Sequence, residues 1–274
     1  MKFKVLGSLA LYDHGPRMAP SAPKTRNLLA LLLLNANTPL SQSVCIDELW
    51  PFDVPRSAVQ SLHTRVLHIR QTLAALPSVG SSDAAKTILV THNRGYTLCV
   101  EYGSLDLHDF EQHLKSARQA ELAQDDLMVS LSLRAALDLW NGPVLGDTPS
   151  GPRLQPRIIS LEEQRITVLE KCMESELRLG LHQELLHELH SLTVQYPTHE
   201  NFHAQYMLAL YRSGRAAQAL VTYRTLRDNL VNEVGIEPSH RLREIQNAVL
   251  VESPDLGTRQ THGLGRPSHL LTVR

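Results

Sequence analysis

From Arg56 to Leu76 (RSAVQSLHTRVLHIRQTLAAL) apolar residues recur every three or four positions, at Val59, Leu62, Val66, Ile69 and Leu73. That spacing predicts a helix docked on a core along one stripe. Gln60, Thr64, His68 and Gln71 take the opposite face, Ser57, Ser61 and Arg65 lie towards its edge, and no Asp or Glu occurs from Ala58 to Leu76. A solvated face ordinarily mixes both charge signs. A face that approaches phosphates excludes carboxylates, while Gln, Thr, His and Arg can all hydrogen-bond base edges or backbone. Taken alone, the stretch also fits an ordinary surface helix.

Around this helix the pattern predicts a small α/β domain. Lys2 to Tyr12 is β-rich with partial alternation, and His14 to Pro23 is turn-like. Lys24 to Asn35 reads as a strongly apolar helix stopped by Ala36-Asn37-Thr38-Pro39, and Ser43 to Trp50 as a short second helix. Pro51 to Pro55 forms a loop before the acid-free helix, and a Gly/Ser-rich connection, Ser78 to Ala85, follows it. Thr87 to Val100 alternates as a hairpin with Asn93-Arg94-Gly95 at its turn. Strands, three helices and a terminal hairpin make a winged helix-turn-helix, in which the third helix enters the major groove and the wing lies along the backbone or minor groove. Arg94 then stands at the wing tip as a phosphate or minor-groove contact, or as a solvated hairpin arginine.

From Leu105 the period is wholly helical. Helices are expected over Leu107–Ala123, Leu127–Trp140, Gln155–Leu179, His182–Tyr196, His199–Ser213, Ala216–Val231 and Arg241–Val251. Gly180 and Gly214 are 34 residues apart. Leu189 and Tyr223 stand at matching places after them, with Ala219 after the second and Pro197 closing the first unit. This is the mark of stacked tetratricopeptide-like hairpins, with a generic helical bundle as the alternative. The expected class is mainly α with a small β component, and the expected domains are 1–104, 105–251 and a flexible tail, 252–274.

Charge sharpens the division. The net charge of −1 hides ten Lys/Arg against six Asp/Glu in 1–104, and fourteen against twenty in 105–251. A basic first piece and an acidic second argue for separate tasks. Cys45, Cys99 and Cys172 are odd in number and scattered, and read as reduced core thiols of a cytoplasmic protein. The longest apolar run, Leu28 to Leu34, is too short to span a bilayer, and no signal-peptide pattern opens the chain.

The segments APKTRNLLALLLLNAN, IDELW, SAVQSLHTRVLHIRQTL and RGYTL resemble the OmpR-type DNA-binding domain that opens the Streptomyces antibiotic regulatory proteins. LDLHDFE, ALDLWNGPVL, LEEQR, YMLALYRSGRAAQAL and the stretch through EVGIEP resemble the bacterial transcriptional activation domain of the same family. The resemblance covers roughly residues 2 to 250 and is to the short form of the family. Its recognition helix commonly reads Leu-Gln-x-x-Val-Ser-x-Leu-Arg. Here His63 replaces the Gln, Leu67 a small polar residue, and His68 stands where Arg is common. Those departures bear on the preferred DNA sequence rather than on the fold. Two groove-side histidines also make affinity pH-sensitive near neutrality, because only the protonated ring pairs with phosphate.

The resemblance implies a transcriptional activator that binds direct repeats in promoter DNA as paired protomers, recruits RNA polymerase holoenzyme, and controls a secondary-metabolite (antibiotic) gene cluster. Gln60, His63, Thr64, Arg65 and His68 are the expected groove residues. Lys24, Arg26, Arg56, Arg70 and Arg94 are the expected phosphate contacts. The loop Trp50 to Arg56, with Trp50, Phe52 and Asp53, is implied to touch polymerase. Two other readings stay open: a helical-repeat scaffold with weak, sequence-independent DNA binding, and a regulator whose signal enters through the repeats.

Catalytic signatures are not found. The sequence contains no P-loop and no nucleophile elbow. Gly263-x-Gly265 falls in the expected tail. His182, His187 and His190 lack a fourth ligand at zinc spacing, and Glu162-Glu163 with Glu174 and Glu176 read as exposed charges. Neither enzyme, metal, cofactor nor membrane association is expected.

Overall fold

The computed structural model describes residues 1–253, so the expected tail lies, from residue 254, outside the described residues. The chain divides into two compact units, one of residues 1–119 with 132–168, the other of 120–131 with 169 onward.

In the first unit, β1 (Lys2–Lys4) pairs antiparallel with β2 (Ala10–Tyr12). Three helices follow: α1 (Pro23–Leu34), α2 (Gln42–Leu49) and α3 (Ala58–Ala74). A short strand, β3 (Leu40–Ser41), precedes α2, and a seven-residue helix, α4 (Ser82–Ile88), leads into the hairpin β4 (Leu89–His92) and β5 (Gly95–Leu98). The Gly/Ser-rich connection is therefore partly helical. Ser81 caps it by accepting the Ala84 N–H, and Lys86 pairs with Asp83 within it. Those local contacts outweigh a composition that reads as loop.

The second sheet runs β3-β5-β4. Gly95 is required there: a Cβ on it would meet the Leu40 carbonyl oxygen at 2.1 Å, so any other residue would push β5 off β3. Seven consecutive α1 residues from Leu28 to Leu34 are buried, explaining its nearly all-apolar face. On α3 the core face is Ala58, Leu62, Val66, Ile69 and Leu73. Val59, expected in that stripe, is 46% exposed, because Ala58 takes the inward position at the first turn.

The first unit also holds most of α5 (Asp106–Leu122), the end of α6 (Asp126–Leu137) and the first part of α7 (Leu154–Arg178). Three carboxylates fasten these helical segments to the winged fold. Asp106, at the start of α5, accepts the Val5 and Leu6 N–H groups at 3.0 and 3.1 Å. Burial pushes its pKa up to about 6, against the N–H donors that favour the charged form. Glu48 of α2 is buried and accepts the N–H groups of Gly151, Arg153 and Leu154, capping α7. Asp147 accepts the Leu9 N–H and pairs with Arg17 and Arg26.

In the second unit, α8 (Leu186–Gln195), α9 (Glu200–Arg212), α10 (Ala216–Asn229), a π-helical turn (Leu230–Val234) and α11 (His240–Leu250) pack around Met207, Ala219, Tyr223, Leu226 and Leu242. Leu189, Tyr223 and Ala219 are buried as the 34-residue spacing predicts. Gly180 and Gly214 both turn the chain with positive φ, 90° and 76°, between one helix and the next. His182 precedes α8 instead of opening it. Glu176, expected on the surface, is buried and accepts the Ser130 hydroxyl at 2.9 Å. Cys45 and Cys172 are buried free thiols, the former raised to about 11 by burial, but Cys99 is exposed just beyond β5. Among the described residues no helix is long and apolar enough to cross a membrane.

Candidate nucleic-acid interface

The site is built on α3, the start of α1, and the β4–β5 wing, all within the first unit. Packing of Leu62, Val66, Ile69 and Leu73 into the core fixes the rotation of α3, so its other face must point to solvent. Gln60, His63, Leu67, His68 and Gln71 are exposed there, with Thr64 and Arg65 half-buried. Thr64 and Thr72 donate their hydroxyls to the Gln60 and His68 carbonyls, one turn back. Arg56 is exposed just before the helix.

Lys24 enters from the first turn of α1. Its ammonium stands 4.2 Å from the centroid of the Trp50 ring, and burial together with the Arg65 charge holds its pKa below the ordinary lysine value. Arg65 Nε is buried without a hydrogen-bond partner. Two cations and an aromatic face are thus gathered at one place, and among the described residues neither cation has a carboxylate partner. Such a pair repels itself until an anion arrives.

The wing is set by its pairing. Leu89 faces Leu98, Thr91 faces Tyr96 and His92 faces Gly95, leaving Asn93 and Arg94 as the tip. The Arg94 carbonyl accepts the Gln42 N–H at the start of α2, which ties the tip to the helix-turn-helix, while the residue itself is exposed. Arg70 has a different task from the one expected. Its guanidinium donates to the Leu89 carbonyl and the Thr91 hydroxyl, at 2.6–3.1 Å, and so fastens α3 to the wing.

Arg26 also departs from expectation. Its side chain is only 14% exposed, and Nη2 lies 2.6 Å from Asp147 Oδ2, an ion pair that takes its charge out of reach of phosphate. Trp50, expected with the polymerase loop, is half-buried under Lys24. Beyond it the loop is open: Phe52 is 100% exposed, and Asp53 and Val54 are exposed as well.

The residues that the sequence did not single out are Glu48, Asp106 and Asp147. A signal existed for Glu48, which shares the inward face of α2 with Cys45 and Leu49. For the two aspartates the partners are backbone groups about a hundred residues away or more, and nothing local marks them.

Among the described residues no group of three His, Cys, Asp or Glu could hold a metal ion. Residues 105–250 match the bacterial transcriptional activator domain family. The chain is 40% identical to the regulatory protein DnrI of Streptomyces peucetius over 93% of its length and 94% of that protein. It is 35% identical to the regulatory protein AfsR of Streptomyces coelicolor, covering 93% of this chain but only 25% of that one. The structure superposes on EmbR of Mycobacterium tuberculosis, solved in complex with a low-affinity phosphopeptide, with a TM-score of 0.84 at 29% identity; the match spans 92% of this chain and 65% of that one. The chain is therefore a transcriptional activator belonging to the Streptomyces antibiotic regulatory protein family.

Proposed function

We propose that the chain reads direct repeats in promoter DNA with the exposed face of α3, two protomers side by side, and recruits RNA polymerase holoenzyme. The observation that carries the reading is electrostatic. The outer face of α3 bears no carboxylate, and the adjoining Lys24–Arg65 pair has no internal counter-ion. In this reading Gln60, His63, Thr64 and His68 meet base edges, and Lys24, Arg56, Arg65 and Arg94 meet phosphates. Arg26 and Arg70 hold the scaffold. Phe52 and Asp53, on the open loop between α2 and α3, face the polymerase. The two expected main domains, 1–104 and 105–251, divide DNA reading from activation. Membership of the Streptomyces antibiotic regulatory protein family supports control of an antibiotic gene cluster, with the chain acting in the cytoplasm.

The test is footprinting of the full chain on promoters of its neighbouring gene cluster, against random competitor DNA and across a salt series. Protected direct repeats that survive competitor, with log K falling linearly against log salt, are expected. Retention of polymerase with no preference for any promoter would instead favour a protein-interaction scaffold.

A further inference from the structure

A large aliphatic side chain in the middle of a polar, acid-free recognition face has a specific use. Leu67 is 52% exposed on α3. Counting along the helix, it lies seven residues after Gln60, four after His63, three after Thr64 and four before Gln71. At about 3.6 residues per turn, those offsets place all five side chains on one strip. The strip is opposite the Leu62–Val66–Ile69–Leu73 seam, so Leu67 cannot turn into the core without rotating the helix. Its neighbours on the strip are polar, so no apolar patch surrounds it that would mark a protein-docking surface.

In the major groove the base edges offer one apolar group, the 5-methyl of thymine; all other features are hydrogen-bond donors and acceptors. Burying an isobutyl group against a donor or acceptor would leave that group unpaired, which is costly. We infer that Leu67 reads a thymine methyl, so that each bound repeat carries a thymine at one fixed place whose methyl packs on Leu67. The flanking His63 and Gln71 then fix the register of that contact by hydrogen bonds one turn to either side. Cytosine at this place loses the methyl and presents an amino donor to an aliphatic surface. This inference rests on the DNA-reading role proposed for α3.

The test replaces each thymine of a footprinted repeat, one at a time, by deoxyuridine, which keeps pairing and removes only the methyl. Binding of the full chain is then measured for wild type and for Leu67→Ala. Wild type should lose several-fold in affinity at one thymine per repeat and be indifferent at the others. Leu67→Ala should lose a similar factor on the unmodified repeat and no longer distinguish thymine from deoxyuridine there. Leu67 is exposed, so the variant should unfold at the wild-type temperature, and circular dichroism checks this. Indifference of the wild type at every thymine overturns the inference while leaving the DNA-reading role intact, as does methyl sensitivity that persists in Leu67→Ala. Absence of any promoter-selective binding overturns both.

Discussion

On the helices of the second unit, three cations stand beside acids. Lys171 pairs with Glu121, Arg178 with Asp126 and Glu174, and Arg227 with Glu237. In the first unit three acids are engaged in internal ties: Glu48 caps α7, Asp106 holds Val5 and Leu6, and Asp147 takes Arg17 and Arg26. The outer face of α3 has none, and Lys24 and Arg65 beside it are left with each other. A surface whose charges are already paired offers little to an external anion. A surface whose cations repel one another offers a site, and the difference lies in where the carboxylates are placed rather than in the number of arginines.

The comparison can be broken from the inside first. Glu48→Ala strands three backbone N–H groups at a part-buried helix end, so unfolding by urea should reveal a loss of about 3 kcal/mol. Wild-type stability in this variant would show that the cap is dispensable. From the outside, Gln60→Glu places a carboxylate on the acid-free face. Promoter affinity should fall by about a hundredfold with the urea midpoint unchanged, since the new charge faces phosphate or base-edge acceptors rather than the core. The control in the paired region, Arg227→Gln, changes the charge by the same one unit and should leave DNA affinity where it was. Equal effects of the two substitutions would remove the distinction.

A smaller change sharpens the role of the cation pair. Lys24→Ala should reduce the slope of log K against log salt by about 1 and weaken all promoters alike, as a phosphate contact does. A drop confined to one sequence would instead make Lys24 a base reader. His68→Ala should cost about 1–3 kcal/mol and relax preference at a single position. Quantitative footprints on single-base variants separate the two.

The smallest and most gradual effect is that of pH on the internal ties. The folded chain raises Asp106 to about 6 from 3.8, chiefly by burial, so folding favours its protonated form. That contribution is complete below 3.8 and is lost as pH rises through about 6. Asp147 is opposite: burial alone would raise it, but the Leu9 N–H and the two arginines bring it down to about 2. Its contribution is present above 3.8 and is lost as pH falls through about 2. Urea midpoints of wild type should therefore rise relative to Asp106→Asn between pH 6 and 4, and fall relative to Asp147→Asn below pH 4. The opposite slopes would mean that the N–H donors, not burial, govern Asp106.

By itself the sequence determined the periods: a 3.6-residue stripe on α3, alternation in the wing, and a 34-residue spacing of glycines that makes helical hairpins. Those are local consequences of burying apolar side chains on one face, and they made the fold class and the acid-free face legible. Sequence motifs also named the family. Tertiary structure decided which charges are free. Arg26 and Lys24 lie two residues apart on α1, yet one is neutralised by Asp147 and the other stands over Trp50 beside Arg65. Arg65 and Arg70 share a helix, yet only Arg70 turns to the wing and is held by a carbonyl. Val59 passes from the predicted core to solvent because Ala58 fills the inward place. In each case the deciding partner is set by packing and not by sequence spacing, since electrostatic and hydrogen-bond energies depend on distance in space.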